Sequence, residues 1–151
     1  MLDINLRNVV DNDETLLFKW RNIDELVELS YYKKKVTLDE HKQWFRSKII
    51  NPDCELHVVQ LNRKNIGLIR MELVHNKCEI SVYLIPGNER KGYGYKALIQ
   101  AFNRSNLKCP SYIAKIQLKN IPSQKLFKKL EFIEVFKDNT FVIYQRLCFS
   151  K

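Results

Sequence analysis

The chain has 151 residues, 45% of them hydrophobic and 11% aromatic, which fits one globular domain with its own core and excludes a disordered chain. Its 26 Lys and Arg against 17 Asp and Glu leave a net charge of +9. The basic residues are scattered and accompany no nucleic-acid module, so a solvated basic surface that steers small anions is expected, with no nucleic-acid partner.

Residues 4–9 alternate apolar and polar positions and predict a first strand. Asp11 or Asp13 can cap a helix carrying Leu16, Leu17 and Trp20, and residues 22–29 continue as a short helical stretch. After a polar, tyrosine-bearing connection, Thr37-Leu38-Asp39-Glu40 is a capping box for a helix with His41, Trp44, Phe45 and Ile49 at helical spacing. Asn51-Pro52 ends it. Residues 55–61, 66–74 and 78–85 read as three strands joined by short polar turns, an antiparallel meander. Next come a glycine loop, a helix through Phe102, a break at Cys109-Pro110, a strand over 112–118 and a helix over 122–130. Residues 132–136 and 141–147 close the chain as a hairpin around Asp138-Asn139. These elements make a mixed α/β fold of six or seven strands, with residues 1–151 as a single domain.

The four cysteines (Cys54, Cys78, Cys109, Cys148) form no C-x-x-C or Cys/His cluster, so no metal is expected and reduced thiols in a cytoplasm are the better reading. Met1 to Asn5 do not read as a signal peptide, and no apolar run matches a membrane span.

Chemistry concentrates in Gly87-Asn88-Glu89-Arg90-Lys91-Gly92-Tyr93-Gly94, between a strand and a helix start. Free amides at a helix start, its dipole and small glycines together suit a phosphate. Tyr93-Gly94 stands where a P-loop needs Lys and Ser/Thr, and a loop following an antiparallel meander does not fit a dinucleotide fingerprint.

The segment Glu89-Arg90-Lys91-Gly92-Tyr93-Gly94 resembles the R/Q-x-x-G-x-G/A motif of the GNAT superfamily of N-acetyltransferases, with Glu89 where Arg or Gln is usual. A second segment, residues 120–132, is similar to that family's N-x-x-S-x-x-L-[YF]-x-K-L-G-F, with Glu131 in place of glycine. Phe18 to Asn22 and the E-H-x-x-W-F pattern from Glu40 resemble a branch containing ribosomal-protein and amino-sugar-nucleotide acetyltransferases. The resemblance implies a mostly antiparallel sheet flanked by about four helices. It also implies acetyl-CoA as the acyl donor, held by Val82, Leu84, Ile85, Arg90, Lys91, Gly92, Tyr93, Gly94, Tyr95, Asn120, Ser123 and Phe127. Glu89 is expected to turn outward.

Among the family's roles, Glu79 matches the strand glutamate that takes the amine proton, with Glu72 and His75 as alternatives. Alternation puts Glu79, Ser81 and Tyr83 on one strand face. Relatives often carry a tyrosine acid at the position of Phe127, which has no proton to donate, so Tyr83, Tyr144 or water is left for the thiolate. Arg21, Tyr31, Tyr32 and His41 are the substrate candidates, because a nucleotide sugar offers phosphates to Arg and rings to Tyr. The expected activity is direct acetyl transfer to a primary amine, that of a nucleotide-linked amino sugar. Acetylation of a protein N-terminus and a non-catalytic acyl-CoA-binding module are the alternatives, and homodimerisation is left open.

Overall fold

The computed structural model describes residues 3–30 and 32–148. Strand β1 (Ile4–Asn8) leads through a 3-10 turn into α1 (Glu14–Arg21), α2 (Asp24–Leu29) and α3 (Leu38–Ile49). The meander β2 (Cys54–Leu61), β3 (Lys64–Val74) and β4 (Lys77–Leu84) follows, then α4 (Tyr93–Arg104), β5 (Ser111–Gln117), α5 (Ile121–Lys129), β6 (Ile133–Lys137) and β7 (Phe141–Leu147). The described residues form five α-helices where the resemblance implied about four.

The seven strands form one sheet in the order β1-β2-β3-β4-β5-β7-β6. Every neighbouring pair is antiparallel except β4 with β5. Two-residue turns close the meander more tightly than the sequence suggested. Asn62 and Arg63 at one corner, and His75 and Asn76 at the other, all have φ between 49° and 71°. Positive φ at both central residues matches the strand twist, so the ladders start at once with Leu61 opposite Lys64 and Val74 opposite Lys77.

Alternation along each strand divides the core between the two faces. On one face Val59, Ile69, Met71 and Ile80 pack under the apolar stripe of α4, Tyr93, Ala97, Leu98, Ala101 and Phe102, with Phe127 and Phe132 beside it. On the other face Val58 and Leu68 pack against Leu17 and Trp20 of α1 and Phe45 of α3. The capping box of α3 forms as expected: Thr37 Oγ1 accepts the Glu40 N–H at 3.2 Å and Glu40 Oε1 accepts the Thr37 N–H at 3.0 Å.

The last turn of α5 closes in a Schellman arrangement. The Phe132 N–H donates to Phe127 O and the Glu131 N–H to Lys128 O, each at 3.0 Å. The Phe127 and Phe132 rings meet edge to face at 5.0 Å. Glu131 takes the left-handed position, φ 69°, that glycine would hold without strain.

Candidate active site

Strands β4 and β5 pair at only two positions, Cys78 opposite Tyr112 and Glu79 opposite Ile113. Strand β4 runs on to Leu84 paired only with β3, so the sheet parts between them. Beyond Glu79 the β5-facing edge of β4 has backbone groups to offer a ligand. Val82 and Leu84 turn toward the α4 side, whereas Tyr83 and Ile85 pack toward α1 and α3.

Gly67 fixes how close β4 lies to β3 at this point. A Cβ there would collide with Tyr83 O and stand 2.8 Å from Leu84 Cδ2. A lone glycine inside a strand is the signal that could have revealed it.

The parted edge leads into the glycine loop. Gly92 is the N-cap of α4 at φ 82°, no side chain caps this end, and the first amide bonded back onto the cap is that of Lys96, to Gly92 O at 3.2 Å. A Cβ on Gly92 or on Gly87 (φ 98°) would meet nothing within 4 Å. The amides of Tyr93, Gly94 and Tyr95 are left without intrahelical partners at the positive end of a 12-residue helix. Gly94 packs tightly on α5, where its Cβ would lie 3.2 Å from Leu126 Cδ2. The Glu89 carboxylate folds back to accept the Gly87 N–H at 2.8 Å, and the Arg90 and Lys91 side chains are exposed. This set of donors fits a pyrophosphate: open amides, two nearby cations and no side chain in the way.

Two residues assigned to the donor have structural tasks. Phe127 is 2% exposed inside the core, so its ring packs beneath α5 and leaves no surface for a ligand. Asn120 is the N-cap of α5, its Oδ1 accepting the Ser123 N–H at 3.3 Å. Tyr95 is half-buried with the Lys129 ammonium 4.5 Å above its ring.

The opposite face carries Glu79, Ser81 and Tyr83 together, as alternation required. Glu79 Oε1 lies 3.6 Å from Lys115 Nζ on β5, a partner that sequence reasoning missed. Tyr83 stands edge-on to Trp20 at 6.3 Å, and burial pushes its hydroxyl well above the ordinary tyrosine range against the opposing pull of Arg21. Arg21 Nη1 is buried and has no hydrogen-bond partner among the described residues. Glu72, the alternative base, is clamped by Lys48 at 2.8 Å and Arg70 at 2.7 Å. His75 is a turn residue. Tyr144 is 1% exposed in the core of the other face and is closed to any ligand.

Of the substrate candidates, His41 is corrected to a packing residue. It is 3% exposed, its Nε2 is 2.9 Å from Glu14 O, and its ring stacks on Trp44 at 5.7 Å. Burial lowers its pKa and keeps the ring neutral. Tyr32 is 75% exposed at the start of the α2–α3 connection. Tyr31 lies outside the described residues. Among the described residues no cluster of three His, Cys, Asp or Glu could hold a metal ion. No described helix is long and apolar enough to cross a membrane.

A sheet parted beside an uncapped helix start is the architecture of acyl transferases that thread a long thioester through a β-sheet. The chain belongs to the acetyltransferase (GNAT) domain family, whose model matches residues 3–133, and it is an acyltransferase of that kind. Its fold is similar to that of spermidine N-acetyltransferase from Vibrio cholerae in complex with CoA and spermine, at 18% identity and a TM-score of 0.80, over 95% of each chain. Campylobacter jejuni N-acetyltransferase PseH aligns at 21% identity and 0.69, over 95% of this chain and 97% of that one. Ribosomal-protein-alanine N-acetyltransferase from Brucella melitensis aligns at 18% and 0.76, over 95% and 99%. None of the curated proteins matches it in sequence.

Proposed function

We propose that the protein transfers an acetyl group from acetyl-CoA directly to the primary amine of a nucleotide-linked amino sugar. The observation that carries this reading is the continuity of the parted β4–β5 edge. It joins the open amides at Gly92 to a face bearing Glu79, Ser81 and Tyr83. Tyr93, Gly94 and Tyr95 amides, with Arg90 and Lys91, would hold the pyrophosphate, and the β4 edge at Val82 and Leu84 would hold the pantetheine amides.

Glu79 and Tyr83 are four residues apart, about 13 Å along the strand, so one reacting carbon reaches both only from above Ser81, about 7 Å from each. The neutral amine attacks the thioester carbonyl there, a C–N bond forms and the C–S bond breaks. Glu79 takes the amine proton, directly or through water. The departing thiolate takes a proton from Tyr83, whose raised pKa keeps the hydroxyl protonated, or from water. Arg21 would bind an acceptor phosphate, a reading supported by its buried Nη1, which has no hydrogen-bond partner among the described residues. The four unbridged thiols suit work in a cytoplasm.

Thermal shift with acetyl-CoA tests the donor, by mass action on the native state. Thiol release is then measured with nucleotide-linked amino sugars, N-terminal peptides and diamines in parallel. A preference for peptides or diamines sinks the sugar reading. A stabilising donor with no thiol release from any amine sinks the enzyme reading in favour of an acyl-CoA-binding module.

A further inference from the structure

A cavity of about 340 Å³ lies where β1 and β2 meet the C-terminal ends of α3 and α4, lined by Asn8, Lys48, Glu55, His57, Arg104 and Asn106. Arg104 ends the helix that Gly92 begins, so the cavity is about 18 Å along α4 from the glycine loop. His57 lines it, is 6% exposed, and neither ring nitrogen has a hydrogen-bond partner among the described residues. Glu55 Oε1 is also buried and has no partner among the described residues, while Oε2 accepts the Asn106 N–H at 3.0 Å. Arg104 spends Nη1 on Leu6 O at 2.7 Å, which leaves the rest of its guanidinium fork for other acceptors.

Glu55 and Arg104 therefore present opposite charges to one cavity, yet they do not pair within 4 Å. Both act on the His57 ring, Glu55 raising and Arg104 lowering its pKa, beneath the larger downward effect of burial. His57 is thus a neutral ring with one donor and one acceptor to fill. The neighbouring charges are otherwise spent: Lys48 is held by Glu72 at 2.8 Å, and the Cys54 thiol is pushed up to about 11 and stays neutral. Each buried polar group without a partner costs about 1–3 kcal/mol, so the cavity favours an occupant that fills them all. Water can fill hydrogen bonds but neutralises neither charge.

We propose that this cavity binds a small zwitterion bearing one ammonium and one carboxylate, the α-amino-acid class, at a site separate from the acetyl-transfer seam. The ammonium donates to Glu55 Oε1 and the acceptor nitrogen of His57. The carboxylate accepts from the free N–H groups of Arg104 and the ring N–H.

NMR of the histidine rings in the full chain tests this, with His57→Gln assigning the resonance. Glycine, alanine and serine are titrated in parallel with methylamine and with acetate. Saturable shifts of the His57 ring are expected with at least one amino acid, while methylamine and acetate alone bind at least about tenfold more weakly. Glu55→Gln should weaken binding by a similar factor, and binding should survive Gly92→Glu, which removes the donor site. A ring that responds to none of the three amino acids overturns the proposal, as does methylamine or acetate binding as tightly as the zwitterion. Loss of binding in folded Gly92→Glu would place the ligand in the acetyl-transfer site and overturn it too. The wild-type titration stands even where a variant does not fold.

Discussion

Glu79 and Glu72 stand directly opposite each other across the β3–β4 ladder, two carboxylates with unlike surroundings. Glu72 is buried and held by Lys48 and Arg70, whereas Glu79 has the more distant Lys115 at 3.6 Å. The clamped group serves the structure and the looser one is available for proton transfer. Glu79→Gln should lower kcat by about 100-fold while leaving the KM for acetyl-CoA unchanged, as expected for loss of a general base. Glu72→Gln should instead cost about 2 kcal/mol of stability, because it leaves two half-buried cations without their carboxylate. Steady-state kinetics and urea denaturation separate the two. Unchanged turnover in Glu79→Gln removes it as the base.

Gly92 combines a left-handed backbone with open space where a side chain would project. Gly92→Ala should lose about 1 kcal/mol of stability through backbone strain. Gly92→Glu should lose acetyl-CoA binding altogether, since a carboxylate would project into the amide cradle. Thermal shift with and without acetyl-CoA reads both effects. A normal ligand-induced rise in Gly92→Glu would show that the donor binds elsewhere.

Gly67 admits no Cβ against Tyr83 O and Leu84. Gly67→Ala should push β4 from its place, lowering Tm by several degrees and weakening acetyl-CoA binding about tenfold through the displaced strand edge. A variant with wild-type Tm and donor affinity would show that β4 tolerates the displacement.

Glu131→Gly should stabilise the protein by about 1 kcal/mol, because φ 69° suits glycine and strains any other residue. The chemical denaturation midpoint measures it, and turnover should not change.

Stability should fall in acid partly through Asp13. Its carboxyl is held below the usual range by the Arg7 guanidinium at 2.8 Å and by the Val10 N–H at 2.9 Å, against the upward push of burial. A depressed folded pKa contributes stability that is present above the unfolded value, about 3.9, and is lost as pH falls through the folded one. Asp13→Asn should therefore be less stable at neutral pH and lose less on acidification below about pH 4. Urea midpoints across that range check the sign.

Much of the site could be read from local pattern. Gly92, the capping box at Thr37 and the shared face of Glu79, Ser81 and Tyr83 follow from backbone rules that operate within a few residues. Burial did not follow. Phe127 sits in a motif that suggested a ligand contact, and His41 on a helix that suggested substrate, yet both are enclosed by other elements. Asn120, expected as a donor contact, also caps α5, a task its place before Pro122 allows.

The sequence by itself determined the order of elements, the meander and the helix start that faces an anion, because turn chemistry and periodicity are properties of neighbours along the chain. Only the tertiary structure decided that β5 leaves β4 after two paired residues. It alone placed Lys115 beside Glu79, clamped Glu72 between two cations and left His57 near the end of α4 without a hydrogen-bond partner among the described residues. Apart from Arg70 beside Glu72, those relations join residues more than twenty positions apart, and packing sets them once the sheet has chosen its strand order.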